Sequence, residues 1–357
     1  MKLKIQTNTD NRKSNIELFR IVIMVCLIAS HYIHNSGILA NIYSEPSIAK
    51  GVLMSVFGMW GKPVINCFVL ITGFYMCEKE INISKYVKMV LQVLFYNVSI
   101  YLAFVVTGYT KFSVFSFILN ALPVKSIWTD FVSCYLIFYL FIPFINILIH
   151  SMNKKQHLSI LGLLGFAYVI LGTIPKITVV MNYLSWFLFI YLLASYLRLY
   201  ETVLLSKKKL WNLLLFIAIV LAVISVSVGL VISNKIEDNL IYYFLEDSNK
   251  ILAVFLAVCA FVVFLNFEIP YSRIINNIAK STFGVLLIHA NSDIMRKWLW
   301  TDLLDCTTFY NSSMFFVHAV CSVIGVYIAC VIIELLRIYF IEKPFFKFVN
   351  SFRRKRE

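Results

Sequence analysis

The chain has 357 residues, of which 61% are hydrophobic and only 14% are charged, and its formal net charge is +14. A soluble protein needs about a quarter of its residues charged to cover its surface, so the composition excludes a water-soluble globular protein. It also excludes an intrinsically disordered chain and a secreted disulfide scaffold, and therefore predicts an integral membrane protein.

Ten apolar stretches are candidates to cross a bilayer, which takes about 20 helical residues. They lie near residues 16–36, 52–76, 88–107, 128–149, 157–174, 184–200, 210–232, 250–266, 281–300 and 313–341. Lipid cannot satisfy a bare backbone, so each stretch should be helical. The sequence therefore predicts an all-α membrane protein, a polytopic bundle of about ten transmembrane helices, with no appended soluble domain.

Basic residues are distributed unevenly between the connections. Twenty-one lie before the first span, in every second connection and after the last span, against eight in the opposite connections. Such an excess marks the cytoplasmic side, so both termini are expected in the cytoplasm of a multi-pass plasma-membrane protein. Residues 1–15 are then a cytoplasmic segment, 16–341 the membrane domain and 342–357 a basic cytoplasmic tail. The placement favours membrane lipid over nucleic acid as the partner of these charges.

Cysteine labelling in intact cells tests this orientation. A membrane-impermeant reagent should modify an Ala40→Cys variant and leave a Lys355→Cys variant unmodified, with the unsubstituted protein as the control for native cysteines. Labelling at position 355 without labelling at position 40 would show that the orientation is inverted.

Polar residues form a stripe along the first predicted span, which contains Glu17, Arg20, His31 and His34. The eleven steps from Arg20 to His31 rotate by about 1100°, within ~20° of three full turns, and the other two fall within roughly 60° of the same line. Ionisable groups are costly in lipid, so the stripe should face the protein interior or a water-filled cavity. A structural role stays open, with Glu17 and Arg20 as an interfacial ion pair, His31 bonding a neighbouring helix and His34 in contact with water.

Arginine, ten residues and histidine on a first span resembles the signature of the acyltransferase 3 family of membrane acyltransferases. Similar segments follow in the family's order along almost the whole chain, at 61–75, 128–146, 183–198, 281–289 and 341–344. Thr72 and Phe74 replace the commoner serine and tyrosine. Lys85 and Lys88 stand at the start of the third span, where the family often carries arginines that can bind phosphate with two parallel hydrogen bonds.

The resemblance implies that the protein takes an acyl group, usually acetyl, from coenzyme A in the cytoplasm. The acceptor would be a hydroxyl of a cell-surface glycan or lipid-linked precursor, as in O-acetylation during polysaccharide modification of the cell envelope. An alcohol needs a base to become a good nucleophile, and the imidazole of His31 is the best candidate. Arg20, with Lys85 and Lys88, would balance the phosphate charge of acetyl-CoA, which is a donor substrate and not a bound cofactor.

Glu17 and His34 of the stripe are candidates to line the site, together with Asn66, Thr72 and His289. Asn66 and Thr72 can donate to a thioester oxygen, although small polar residues also pack helix interfaces. His289 matches the family's ninth span. The histidine and cysteine spacings predict no metal site.

Two other kinds of function remain open at this point. A transporter or flippase of glycans or acyl groups could use the same buried charges along a substrate pathway. A non-catalytic membrane binding or sensing domain could keep the fold without turnover. Coenzyme A release by purified protein with an acceptor would separate an enzyme from both.

Overall fold

The computed structural model describes residues 13–128, 130–236 and 239–354, and these ranges contain helices and no strand. The helices are α1 Ser14–His34, α2 Ile38–Tyr43, α3 Ile48–Gly58, α4 Gly61–Met76, α5 Ile83–Val106, α6 Val114–Asn120, α7 Phe131–Ser151, α8 Lys154–Leu164, α9 Leu171–Thr173, α10 Tyr183–Tyr200, α11 Thr202–Leu205, α12 Lys208–Ile236, α13 Ile251–Leu265, α14 Arg273–Ala279, α15 Thr282–His289, α16 Asp293–Lys297, α17 Cys306–Tyr310, α18 Phe315–Arg337 and α19 Lys343–Arg354. Helical turns of the π type lie at Gly165–Ile170, Trp298–Leu303 and Ile338–Glu342.

The predicted all-α polytopic architecture is confirmed. Within the described ranges, eight helical segments are long and apolar enough to cross a membrane. The predicted span at 250–266 corresponds to α13, an apolar helix of 15 residues. The predicted span at 52–76 begins earlier, at Ile48, because α3 and α4 follow each other with only Met59 and Trp60 between them.

The ninth predicted span, 281–300, is not one continuous helix. It ends as α15 at His289 and resumes as α16 at Asp293. The sequence at the break favours a new helix start, since the Ser292 side chain caps α16 by accepting a hydrogen bond from the Met295 amide. Non-helical backbone at membrane depth is tolerated where it is buried in protein or lines a cavity, and this break does line one, as described below.

Helix α1 lies against several others, among them α3, α4, α14 and α18. Its first turn is anchored by Ser14, which donates to Asn276 Oδ1 at 3.1 Å, and by Asn15, which donates to the carbonyl of Phe264 at 2.9 Å. Near its other end, a Cβ atom added to Gly61 would lie 2.5 Å from Ser30 Oγ. Glycine at this position therefore allows α4 to approach α1 closely.

The last helical region extends beyond the predicted span 313–341. The π-helical turn Ile338–Glu342 leads directly into α19, so the predicted tail is helical as far as Arg354. Residues 355–357, like most of the predicted segment 1–15, lie outside the described ranges.

Candidate active site

Three cavities follow one another along α1. The first, of about 280 Å³, is lined by Arg20 and is called the Arg20 cavity. The central cavity, of about 210 Å³, is lined by His31 and by Asn291 from the break between α15 and α16. The third, also about 280 Å³, is lined by His34 and is called the His34 cavity.

Neighbouring cavities share walls. The Arg20 cavity and the central cavity have Phe68, Phe131 and Leu286 in common. The central cavity and the His34 cavity share four residues, and one of them is His31. Arg20, His31 and His34 of the polar stripe on α1 thus line a series of cavities, whereas Glu17 lines none of the three. His31 stands at the second junction.

His31 forms a hydrogen-bonded pair with His289. The distance from His31 Nδ1 to His289 Nε2 is 3.0 Å, and His289 Nδ1 lies 2.6 Å from the carbonyl oxygen of Val285. A carbonyl only accepts, so His289 donates from Nδ1 and its Nε2 is left as an acceptor. His31 then donates from Nδ1, and its Nε2 is left without a proton. The backbone of α15 therefore selects the tautomer in which His31 Nε2 is basic.

Two cationic side chains, those of Arg20 and Lys280, line the Arg20 cavity. The half-buried guanidinium of Arg20 makes no ion pair or side-chain hydrogen bond to any residue that the structure describes. Lys280, which precedes α15, lines the same cavity and donates to Asn277 Oδ1 at 2.9 Å. Thr72 also lines it and lies 2.9 Å from the hydroxyl of Tyr135. An anionic ligand would find both charge and hydrogen-bond donors here.

Other predicted site residues lie apart from these cavities. Lys85 is exposed at the start of α5, and Lys88 Nζ lies 3.7 Å from Glu342 Oε1. Asn66 is fully buried. Its side-chain amide donates to the carbonyl of Ser248 at 2.8 Å and accepts from Trp186 Nε1 at 2.7 Å. Its amide is thus engaged in packing. Glu17 is buried one turn before Arg20.

The His34 cavity is lined by further polar side chains, among them His34 and Lys62. Exposed His34 donates from Nδ1 to the Ser30 carbonyl at 2.9 Å. Lys62 lines the same cavity and donates to the Tyr183 hydroxyl at 3.1 Å and to Asp247 Oδ1 at 3.3 Å. The Lys62 ammonium therefore links α4 to the start of α10 and to the segment before α13, and does not simply extend into solvent.

Sequence reasoning missed several polar residues of the central cavity, including Lys125, Asp130 and Arg296. Burial lowers the pKa of Lys125, and the charge of nearby Asp130 opposes that shift. Asp130 also caps α7 by accepting from the Ser133 amide at 2.8 Å. Its position directly before an apolar run is the signal that could have identified this helix start.

A buried ionic cluster next to α15 was also missed. Glu334, at 1% exposure, accepts from Gln92 Nε2 at 3.0 Å, from the Tyr96 hydroxyl at 2.6 Å and from Arg337 Nε at 2.8 Å. A Cβ atom on Gly284 of α15 would lie 2.4 Å from Glu334 Cδ. The cluster joins α5, α15 and α18, and its member Gln92 lines the Arg20 cavity.

Within the described ranges, no group of three or more histidine, cysteine, aspartate or glutamate side chains is placed to hold a metal ion. The fold and the cavities together define a multi-pass α-helical membrane protein with a histidine pair at its centre. The chain belongs to the acyltransferase 3 family, since the family model for this acyltransferase domain matches residues 13–335. It is thus a membrane acyltransferase. No curated protein and no solved structure shows a significant match.

Proposed function

We propose that the protein transfers an acyl group, normally acetyl, from cytoplasmic acyl-CoA to a hydroxyl of a glycan or lipid-linked saccharide at the plasma membrane. The observation that carries the proposal is the His31–His289 pair at the junction of two cavities. The pair would supply a base at a position that the acyl donor reaches from the Arg20 cavity and the acceptor reaches from the His34 cavity.

The Arg20 cavity suits the donor. With the predicted orientation it opens toward the cytoplasmic half of the membrane, where acyl-CoA is present. Arg20 and Lys280 offer positive charge for the donor phosphates. His31 lies roughly 16 Å further along α1, so an extended pantetheine arm would carry the thioester toward it through the shared wall at Phe68.

The chemistry follows from the free nitrogen of His31. The acceptor hydroxyl attacks the thioester carbonyl while His31 Nε2 takes its proton. The carbon–sulfur bond then breaks, the acyl group stays on the acceptor oxygen as an ester, and the imidazolium returns the proton to the departing coenzyme A sulfur. His289 holds the His31 ring and its tautomer during both steps.

The His34 cavity suits the acceptor. Ser30, His34, Lys62, Tyr183 and Tyr242 line it and provide hydroxyl, imidazole, ammonium and aromatic groups. Saccharides combine hydroxyl groups with apolar ring faces, and a mixed lining of this kind matches both. Exchange of the acyl group would then occur at His31, where this cavity meets the central one.

Substitution of Arg20 tests the donor assignment. Arg20→Ala should raise the acetyl-CoA concentration that gives half-maximal rate by roughly ten- to a hundredfold, because charge-assisted hydrogen bonds to phosphate are lost. Arg20→Lys should retain part of the affinity. The measurement is the initial rate of coenzyme A release at varied acetyl-CoA, with membranes of the source cell supplying the acceptor.

Lys85→Ala is the matched control, since this exposed cation lies outside the cavity lining. The acetyl-CoA concentration that gives half-maximal rate should stay unchanged in this variant. An unaltered donor dependence in Arg20→Ala, or an equal change in both alanine variants, would contradict the role of Arg20. Absence of any coenzyme A release with acceptor present would remove the proposed reaction and favour a transporter or a binding domain.

A further inference from the structure

The C-terminal helix α19 is strongly amphipathic. Its apolar positions 345, 348 and 349 follow the i, i+3, i+4 spacing of one helix face and lie within about 60° of one line. Basic positions 343 and 347 fall within about 20° of the opposite line. The two faces are therefore separated, as in helices that lie along a membrane surface.

Two residues on the apolar face of α19 are exposed at the surface of the helix bundle. Phe345 is 49% exposed and Val349 is 38% exposed. A contact with the bundle is made on a different side, where Lys88 Nζ of α5 lies 4.5 Å from the ring centre of Phe346. Exposed apolar side chains of this kind, beside a membrane span, favour an apolar environment.

The bilayer is the apolar environment continuous with this helix. From Phe315 to Arg354 the chain is helical without interruption, which corresponds to about 60 Å, roughly twice the thickness of the hydrocarbon core. Residues of α19 must therefore lie beyond the core. The π-helical turn Ile338–Glu342 and Pro344 supply the local irregularities at which helices bend.

We propose that α19 lies in the membrane interface and binds anionic phospholipid. Phe345 and Val349 insert toward the acyl chains, while Lys343 and Lys347 meet lipid phosphates. With the predicted orientation this is the cytoplasmic leaflet, which carries a negative surface potential. The charge of the basic face favours a lipid surface over a basic or neutral protein partner. The proposal does not depend on the acyl-transfer reaction.

Hydrogen exchange of the full-length protein in nanodiscs tests this. One set of discs contains phosphatidylcholine alone, and the other an equal mixture of phosphatidylcholine and phosphatidylglycerol. Backbone amides of α19 should exchange more slowly in the anionic discs, and high salt should reduce the difference. In a Lys343→Gln/Lys347→Gln variant the phosphatidylglycerol effect should weaken by roughly fivefold for each cation removed.

Lys207→Gln/Lys209→Gln is the matched control, because it removes the same charge from another basic segment on the same predicted side. It should leave the exchange of α19 unchanged. Phe345→Asn should speed exchange in both kinds of disc. Equal exchange in the two disc types, or slow exchange in detergent without phospholipid, would overturn the proposal, and the second result would indicate that α19 packs against protein.

Discussion

His31→Ala should lower acyl transfer by at least about 10²–10⁴-fold, the range over which general acid–base catalysis acts. The reason is that His31 Nε2 is the nitrogen left free by the chain of hydrogen bonds from Val285 through His289. The measurement is transfer of a radiolabelled acetyl group from acetyl-CoA to membranes of the source cell, made with purified protein.

Two variants separate loss of the base from loss of structure. His31→Asn keeps a donor for His289 Nε2 yet cannot take a proton near neutral pH, so it should be as inactive as His31→Ala. His34→Ala should cost much less, since His34 is exposed and bonds only within its own turn among the described contacts. The thermal unfolding of each sample is recorded beside its rate. Near-normal transfer by folded His31→Ala protein would end the assignment of His31 as the base.

The pairing with His289 provides an independent check. His289→Ala should also lower transfer, because His31 loses the partner that fixes its tautomer. If the two histidines act as a unit, the double variant should be no slower than His31→Ala alone. If the rate losses of the two single variants multiply in the double variant, His289 contributes separately from His31.

Much of the architecture and part of the site followed from local patterns. Apolar run length and helical periodicity were sufficient to predict the polytopic helical bundle and to place Arg20 and His31 on one face of α1. Both observations depend only on residues close together in sequence. The involvement of His289 came instead from resemblance, since 258 positions separate it from its partner His31.

Features that depend on tertiary contacts escaped sequence reasoning. Polar residues from Asn291 to Lys297 interrupt the ninth predicted span in the sequence, but they did not locate the end of α15 at His289. That end depends on tertiary contacts such as the hydrogen bond from Asn291 to Asn97 of α5. Lys280 was counted as a topology marker, although it lines the Arg20 cavity. Conversely, Lys85 has a suitable charge near the donor side but is placed by α5 outside that cavity.

The cluster around Glu334 shows the same limit most clearly. Glu334 and Arg337 lie three residues apart in α18, a spacing that allows an ion pair on one helix face. Gln92 and Tyr96 complete the cluster, and Gly284 leaves room for it. Both features depend on how α5, α15 and α18 pack together. The cluster therefore links the wall of the Arg20 cavity to the helix that carries His289.

Glu334→Ala should be the most destabilising of the charge substitutions considered, at about 3–5 kcal/mol, the usual cost of removing one partner from a buried ion pair. It would leave Arg337, 8% exposed, with Glu342 as its remaining carboxylate partner. It would also strand the amide of Gln92 and the hydroxyl of Tyr96. The measurement is equilibrium unfolding of the purified protein in mixed micelles with increasing denaturing detergent.

Glu342→Ala is the matched control, because the Glu342 carboxylate bonds to the same Arg337 at 2.7 Å but its side chain is 22% exposed. Its loss should cost about 0–1 kcal/mol, as for pairs that water can reach. A Glu334→Met/Arg337→Met variant should recover much of the lost stability, since no unpaired charge stays buried. Equal small losses in both alanine variants would mean that water reaches Glu334, and that the cluster does not join α5, α15 and α18 as a dry ionic contact.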